Sequence, residues 1–406
     1  MKKKLISTVT AVAMSAALLA GCGAPIQEGA STSAAEETAA SAAATETAGG
    51  TSTETADGAA SDSALNIAIV SSPSGVDDGS FNENNYNGIL KFIEENPNST
   101  VTPVKEETGD VAACEKTVAD IAADYDVIVC CGFQFAGIGS IAEENPDVKF
   151  ILVDSNPTDS EGNEAEYDNI YAMTFKEQES GFPAGIAAAL TTKSGKVAVV
   201  NGIAYPSNVN YQYGFMSGVN YANKNFGTSA EVVELPSYAG TDVTGADVGG
   251  NYVGSFADEA TGKVVGKALI DAGADVIFVA AGGSGNGVFT AAKEADGVYV
   301  IGCDVDQFDD GVNGDKNVVL TSGLKIMDKN VYEQLQNIAA GTFKGGNYLL
   351  GADTESTGYV SADGRCQLDA DQISKIDEAF AKVKSGDVVP AANFNDMTPD
   401  NFTGLE

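Results

Sequence analysis

From Leu65 onward, short apolar runs alternate with amphipathic stretches, and this rhythm constrains the fold more than any single motif. Strand-like runs fall at 66–70, 127–131, 149–153, 197–201, 275–280, 298–302 and 317–321. Between them the apolar spacing predicts helices near 82–95, 111–124, 177–192, 210–225, 257–272, 286–295 and 327–341. Strands joined through helices pair in parallel, so the expected class is α/β with sheets covered on both faces. So many units suit two sheets better than one. The chain is therefore expected to form two lobes, each a parallel sheet flanked by helices, with a cleft between them.

The N-terminus has a different character. Lys2, Lys3 and Lys4 precede an apolar, small-residue stretch at 5–20, and Leu19-Ala20-Gly21-Cys22 has the form of a bacterial lipobox. Residues 1–22 are thus expected to be a lipoprotein signal with Cys22 as the lipidated residue. Residues 23–64 are rich in Ala, Ser, Thr, Gly and Glu, without Lys, Arg or aromatic residues. Such a segment buries too little apolar surface to offset its ordering entropy, so a disordered acidic tether is expected there.

Composition removes several functions. A formal net charge of −36 argues against nucleic acid and anionic lipid head groups as partners. The chain has no histidine, which excludes Ser-His-Asp triads and His–zinc catalysis. Apart from Cys22 the cysteines are Cys114, Cys130, Cys131, Cys303 and Cys366. Their spacing is not zinc-like, and buried free thiols are expected.

Three segments follow predicted strands, where α/β proteins bind ligands. Val-Asp-Asp-Gly-Ser-Phe-Asn at 76–82 and Ile-Gly-Cys-Asp-Val-Asp-Gln at 301–307 set short carboxylates beside backbone amides. Ser80 and Glu83 fit a capping box, which places Phe81 and Asn82 in the first turn of a helix. Asp77 and Asp78 serve either a ligand or that helix N-terminus. The glycine-rich 282–287 lacks the Lys-Ser/Thr of a phosphate loop and the spacing of a dinucleotide fingerprint.

Read in order, these segments closely resemble the basic membrane lipoprotein family, nucleoside-type substrate-binding proteins of ABC importers. The family's TDxGGxDDKSFN resembles 71–82, GxGF resembles 131–133, and FKExEGSFLAG resembles 175–185. YVGSFxD matches 252–258, AAGGTGNGV matches 280–288, IGVDxDQ matches 301–307, and TSMLK resembles 321–325. The resemblance runs from about 65 to about 390. It implies a type I periplasmic-binding-protein fold with a lipid anchor on the extracytoplasmic face of the cell membrane. Permease and ATPase subunits are the implied partners, and neither cofactor, metal nor catalysis is implied. A monomer is expected.

By position, the resemblance implies that Phe81 and Phe256 sandwich a purine or similar ring. Asp304 would accept from ribose hydroxyls, and Lys325 would donate to ribose or base while neutralising Asp304. Asp78, Asn82, Phe133 and Gly283 complete the expected ligand set. One position departs: Ser72 stands where the family has an aspartate expected to hold the ribose. A neutral hydroxyl makes a bond roughly half as strong as a charged partner does. Lobe 1 is expected over 65–174 with about 303–340, and lobe 2 over 175–302 with about 341–390. Crossovers are expected near Thr174, Cys303 and 341–347, and 391–406 as a tail.

Other readings are a surface sensor without transport, a binder of a sugar or riboflavin, and a calcium-dependent nucleoside hydrolase. The hydrolase reading rests on Asp304, Asp306, Asp309 and Asp310, whose spacing is one residue short and whose place in the chain is late.

Overall fold

The computed structural model describes residues 64–405 apart from Phe394. The signal, Cys22 and the tether expected over 23–64 lie almost wholly outside the described residues.

The described chain opens as a βα series: β1 (Asn66–Ser71), α1 (Phe81–Glu95), β2 (Thr100–Lys105), α2 (Val111–Ile121), β3 (Val127–Cys131), α3 (Gly139–Glu144), β4 (Lys149–Val153) and β5 (Ile170–Phe175). It crosses to a second series: α4 (Gln178–Thr191), β6 (Lys196–Asn201), α5 (Pro206–Asn225) and β7 (Glu231–Val232). A hairpin of β8 (Gly240–Thr241) and β9 (Asp247–Gly249) follows, then α6 (Glu259–Asp271), β10 (Val276–Ala280), α7 (Gly285–Lys293) and β11 (Tyr299–Asp304). A hairpin of β12 (Val312–Asn313) and β13 (Lys316–Asn317) leads into β14 (Val319–Lys325). The chain then returns to the first lobe with α8 (Met327–Ala339) and β15 (Gly346–Leu350), and ends in the second with β16 (Thr357–Tyr359) and α9 (Ala370–Ser385).

The sheet of lobe 1 has the order β15-β5-β4-β3-β1-β2, and that of lobe 2 the order β16-β14-β11-β10-β6-β7. Every neighbouring pair is parallel except β14 with β16. Parallel sheets are covered on both faces, which is why β3 and β10 are buried along their whole length. In lobe 1, Ile89 and Phe92 of α1 and Val331 and Leu335 of α8 pack in one core, while Cys114 and Val118 of α2 pack in another.

Lobe membership differs from the sequence reading. Residues 303–325 were expected in lobe 1, yet β14 pairs with β11 through Asp304↔Leu324 and belongs to lobe 2. Five of its seven residues in a row are buried, so its amides need a ladder on the inside of a sheet. Conversely, β15 pairs with β5 and joins lobe 1, where a lobe 2 segment was expected. The crossovers therefore fall at 175–178, 325–327 and 350–352, and not at Cys303 or 341–347. Residues 391–405 are no loose tail: Thr403 bridges Val389, and Phe402 is buried edge-on to Phe182.

Helix α4 is buried over nearly its whole length and lies against α5 at glycine contacts. A Cβ on Gly185 would sit 2.0 Å from the Phe215 carbonyl oxygen, and one on Gly218 would sit 2.1 Å from that of Phe182. Gly181 and Gly214 meet the partner backbone in the same way. These four glycines let the two backbones touch.

Candidate functional site

The cleft lies where strand ends of the two sheets face each other. Ser72, Asp78, Phe81, Asn82 and Phe133 reach it from lobe 1, and Phe256, Asp304 and Lys325 from lobe 2. All eight line one cavity of about 560 Å³. Gly283 does not, although it was expected to. Gly282 takes that place, and a Cβ on Gly283 would lie 3.3 Å from that of Ser74, at a seam between the lobes.

The start of α1 explains how lobe 1 presents its groups. No capping bond comes from Ser80, so the expected Ser80–Glu83 box does not form. Asp78 does that work, accepting from the amides of Ser80, Asn82 and Glu83 and from the Asn82 side chain, while Glu83 accepts from Gly79. Burial pushes the Asp78 carboxyl up, against the pull of these amides. The Ser80 hydroxyl is thereby free to donate to Asp304 Oδ2 across the cleft at 3.1 Å. The Asn82 amide is oriented by its neighbours. Its Nδ2 donates to Asp78 Oδ2 (2.8 Å) and Ser72 Oγ (2.9 Å), and its Oδ1 is buried without a hydrogen bond among the described residues.

Asp304 ends β11 in the left-handed region, with φ of 69°, a conformation aspartate tolerates better than most side chains. It accepts from the Tyr211 hydroxyl at 2.8 Å. Asp154 follows β4 with φ of 64°. It is the counterpart of Asp304, since β4 and β11 are each third in their sheet's order.

Lys325 corrects another expectation. It was expected to neutralise Asp304, but its ammonium pairs with Asp154 Oδ2 at 2.5 Å and Glu177 Oε1 at 3.3 Å. Asp304 is held by hydroxyl donors. Lys325 is 1% exposed, and its ammonium lies 5.1 Å from the Phe81 ring centroid. Burial would lower its pKa, but Asp154, Glu177 and Asp304 hold it above the usual lysine value. One ammonium cannot neutralise two buried acids. Burial pushes Glu177 up to about 7 against the pull of Lys325, and it raises Asp154 as well. Asp154 Oδ1 accepts no close hydrogen bond among the described residues, although the Ser207 hydroxyl lies near enough to favour the charged carboxylate.

Phe256 rests on glycine. A Cβ on Gly202 would lie 2.2 Å from the Phe256 ring, so only glycine admits the ring at this position. Asp306 and Asp309 are taken up by Arg365 and do not line the cleft, which removes the acidic run on which the hydrolase reading rested.

The segment Lys176–Ser180 ties the crossovers together. Lys176 pairs with Asp353, Glu177 with Lys325, and Glu179 accepts from the Ala352 amide and the Thr357 hydroxyl. Ser180 donates to the Leu324 carbonyl. The segment 175–185, which resembles the family, thus also holds contacts between the crossovers. Asp154, Tyr205 and Tyr211 were missed. Asp154 did carry a signal, because Leu-Val-Asp at 152–154 ends a strand as Gly-Cys-Asp at 302–304 does. The helix residue Tyr211 carried none.

The model of the family described as ABC transporter substrate-binding protein, PnrA-like, matches residues 65–244 and 238–384. The chain belongs to this family. It is 30% identical over 338 residues to the CD4+ T-cell-stimulating antigen of Listeria monocytogenes, covering 79% of this chain and 87% of that protein. It is 28% identical over 407 residues to the ABC transporter nucleoside-binding protein BmpA of Lactococcus lactis, covering 95% and 97%. An ABC transporter solute-binding protein from Aeropyrum pernix superposes with a TM-score of 0.67 at 23% identity, over 82% of this chain and 94% of that one. The PnrA-like chain is thus an ABC transporter substrate-binding protein, and the two-lobe binding-protein fold is the one expected from its sequence.

Proposed function

We propose that this protein is the lipid-anchored component that captures a nucleoside, a purine nucleoside first of all, outside the cell membrane and delivers it to a permease and its ATPase. The observation that carries the reading is the pair Phe81 and Phe256, brought by opposite lobes to one cavity. Flat rings gain from such stacking. Asp304, Asp154 Oδ1 and Asn82 Oδ1 are acceptors suited to hydroxyl and ring N–H donors. A phosphate would meet these acids with Lys325 already engaged, which favours nucleosides over nucleotides. The Lactococcus relative named as nucleoside-binding supports the same reading.

Calorimetry with adenosine, guanosine and inosine, against ribose and riboflavin, tests it. Stoichiometric binding of at least one purine nucleoside without release of free base is the expected result. Failure of all three nucleosides to bind overturns the reading, and base release would move it to a hydrolase.

Gly202→Val is expected to expel the Phe256 ring and weaken nucleoside binding by about 1–3 kcal/mol, the scale of one stacking interaction. A binding titration beside a thermal melt checks this. Unchanged affinity would show that Phe256 does not face the ligand.

Cys22 is expected to carry lipid. Metabolic labelling with a fatty-acid probe should mark the wild type and not Cys22→Ala, and equal labelling of both would remove the anchor.

A further inference from the structure

We infer that Tyr205 is a third aromatic element of the cleft, which seals its rim by an interlobe ring contact and slows ligand escape; the ligand half of this rests on the nucleoside reading. Its ring lies between two others. The Phe133 centroid is 5.1 Å away at an interplanar angle of 38°, and that of Phe256 is 6.0 Å away at 40°. Phe133 comes from lobe 1, whereas Tyr205 and Phe256 come from lobe 2. The Tyr205–Phe133 pair therefore crosses the divide, and opening of the lobes must break it.

All three rings line the cavity and are only partly buried, so none is needed to fill a core. Tyr205 is also held firmly. It is the residue before Pro206, in extended backbone with φ of −72° and ψ of 159°, at the entry to the twenty-residue helix α5. In the same turn Asn208 anchors to the Ala280 carbonyl at 2.7 Å. The ring is thus presented from a rigid helix end, and the wall Phe133–Tyr205–Phe256 continues the stacking surface of Phe256 across the divide between the lobes. An aromatic pair of this geometry supports roughly a threefold to tenfold change in a rate or equilibrium constant. Because opening of the lobes breaks the pair, its effect falls mainly on the dissociation rate.

The experiment uses the full chain and its Tyr205→Ala, Tyr205→Phe and Phe133→Ala variants. Dissociation of adenosine, guanosine and inosine is followed by stopped flow, and hydrogen exchange of the segment 131–136 is measured without nucleoside. Tyr205→Ala should speed dissociation about threefold to tenfold and speed exchange at 131–136, while Tyr205→Phe stays near wild type. The double variant with Phe133→Ala should add little to either single change, because the two rings act as a pair. Unchanged dissociation and exchange in Tyr205→Ala overturn the inference. Equal loss in Tyr205→Phe and Tyr205→Ala also overturns it, because the ring would then not be the active part. A wild type that binds none of the three nucleosides fails the nucleoside reading alone, and exchange at 131–136 still decides the seal.

Discussion

Replacing Gly185 with valine is expected to destabilise the second lobe strongly. A single Cβ at this position would lie 2.0 Å from the Phe215 carbonyl oxygen and 2.9 Å from the Val219 amide nitrogen, both backbone atoms. A clash with a flexible side-chain tip can be relieved by rotation, but one with a helix backbone requires α4 and α5 to separate. Their close approach is repeated at Gly181, Gly214 and Gly218, so separation loosens the whole interface. Overpacking in a tight core costs about 1–3 kcal/mol and sometimes more, and valine against a helix backbone belongs at or beyond the upper end. That is a large part of a typical stability of about 5–15 kcal/mol. Gly358→Ala is the control, since nothing lies within 4 Å of a Cβ there. Circular dichroism melts should show Gly358→Ala near wild type and Gly185→Val far below it. Similar melting of the two variants would mean that the helices do not touch at glycine.

Removing the Lys325 charge is expected to produce a deficit that grows with pH. In Lys325→Met, Asp154 and Glu177 lose the ammonium that both share in the buried cleft. Breaking a buried pair by deleting one partner costs about 3–5 kcal/mol when the remaining charge has no compensation. Both acids already have folded-state pKa values above their ordinary ones because of burial, Glu177 at about 7 with Lys325 still present. Without Lys325 they rise further. A carboxyl whose folded pKa is raised binds more protons in the native state than in the unfolded state. Its contribution is therefore fully present below the unfolded value and is lost as pH rises through the folded one. Urea unfolding at about pH 5, 6.5 and 8 should show the smallest deficit at the acid end and the largest at the alkaline end. The wild type should show a milder slope of the same sign, which Glu177→Gln reduces. A deficit that is constant with pH would mean that the acids stay ionised together, against this account.

The parts of the fold visible in the sequence were those carried by local periodicity. The runs that became β1, β3, β4, β6, β10 and β11 are continuous and apolar because their strands are buried on both faces. Strand β2 was missed for the opposite reason. Its pattern is largely exposed and includes Pro103, as suits an edge strand. Strand β5 runs into α4 with only Lys176 and Glu177 between them, so no turn signal marks where the strand ends. The short edge strands β15 and β16 take their identity from partners distant in the chain, β5 in lobe 1 and β14 in lobe 2.

The candidate site divides along the same line. Phe81, Asn82, Asp78 and Asp304 follow strands or open a helix, so the local rhythm by itself places them at the mouth of a sheet. The alternation likewise determined the α/β class and the two lobes, and composition excluded histidine chemistry and argued against nucleic acid as a partner. Only the tertiary structure decided that Lys325 pairs with Asp154 and Glu177 and that Asp304 rests on Ser80 and Tyr211. The same holds for Phe256 on the backbone of Gly202 and for the rings that Tyr205 joins across the lobes. Each of these contacts joins residues far apart in the chain. Periodicity reports which face of an element is buried, whereas the partner on that face is chosen by how whole elements pack and where the chain crosses between sheets.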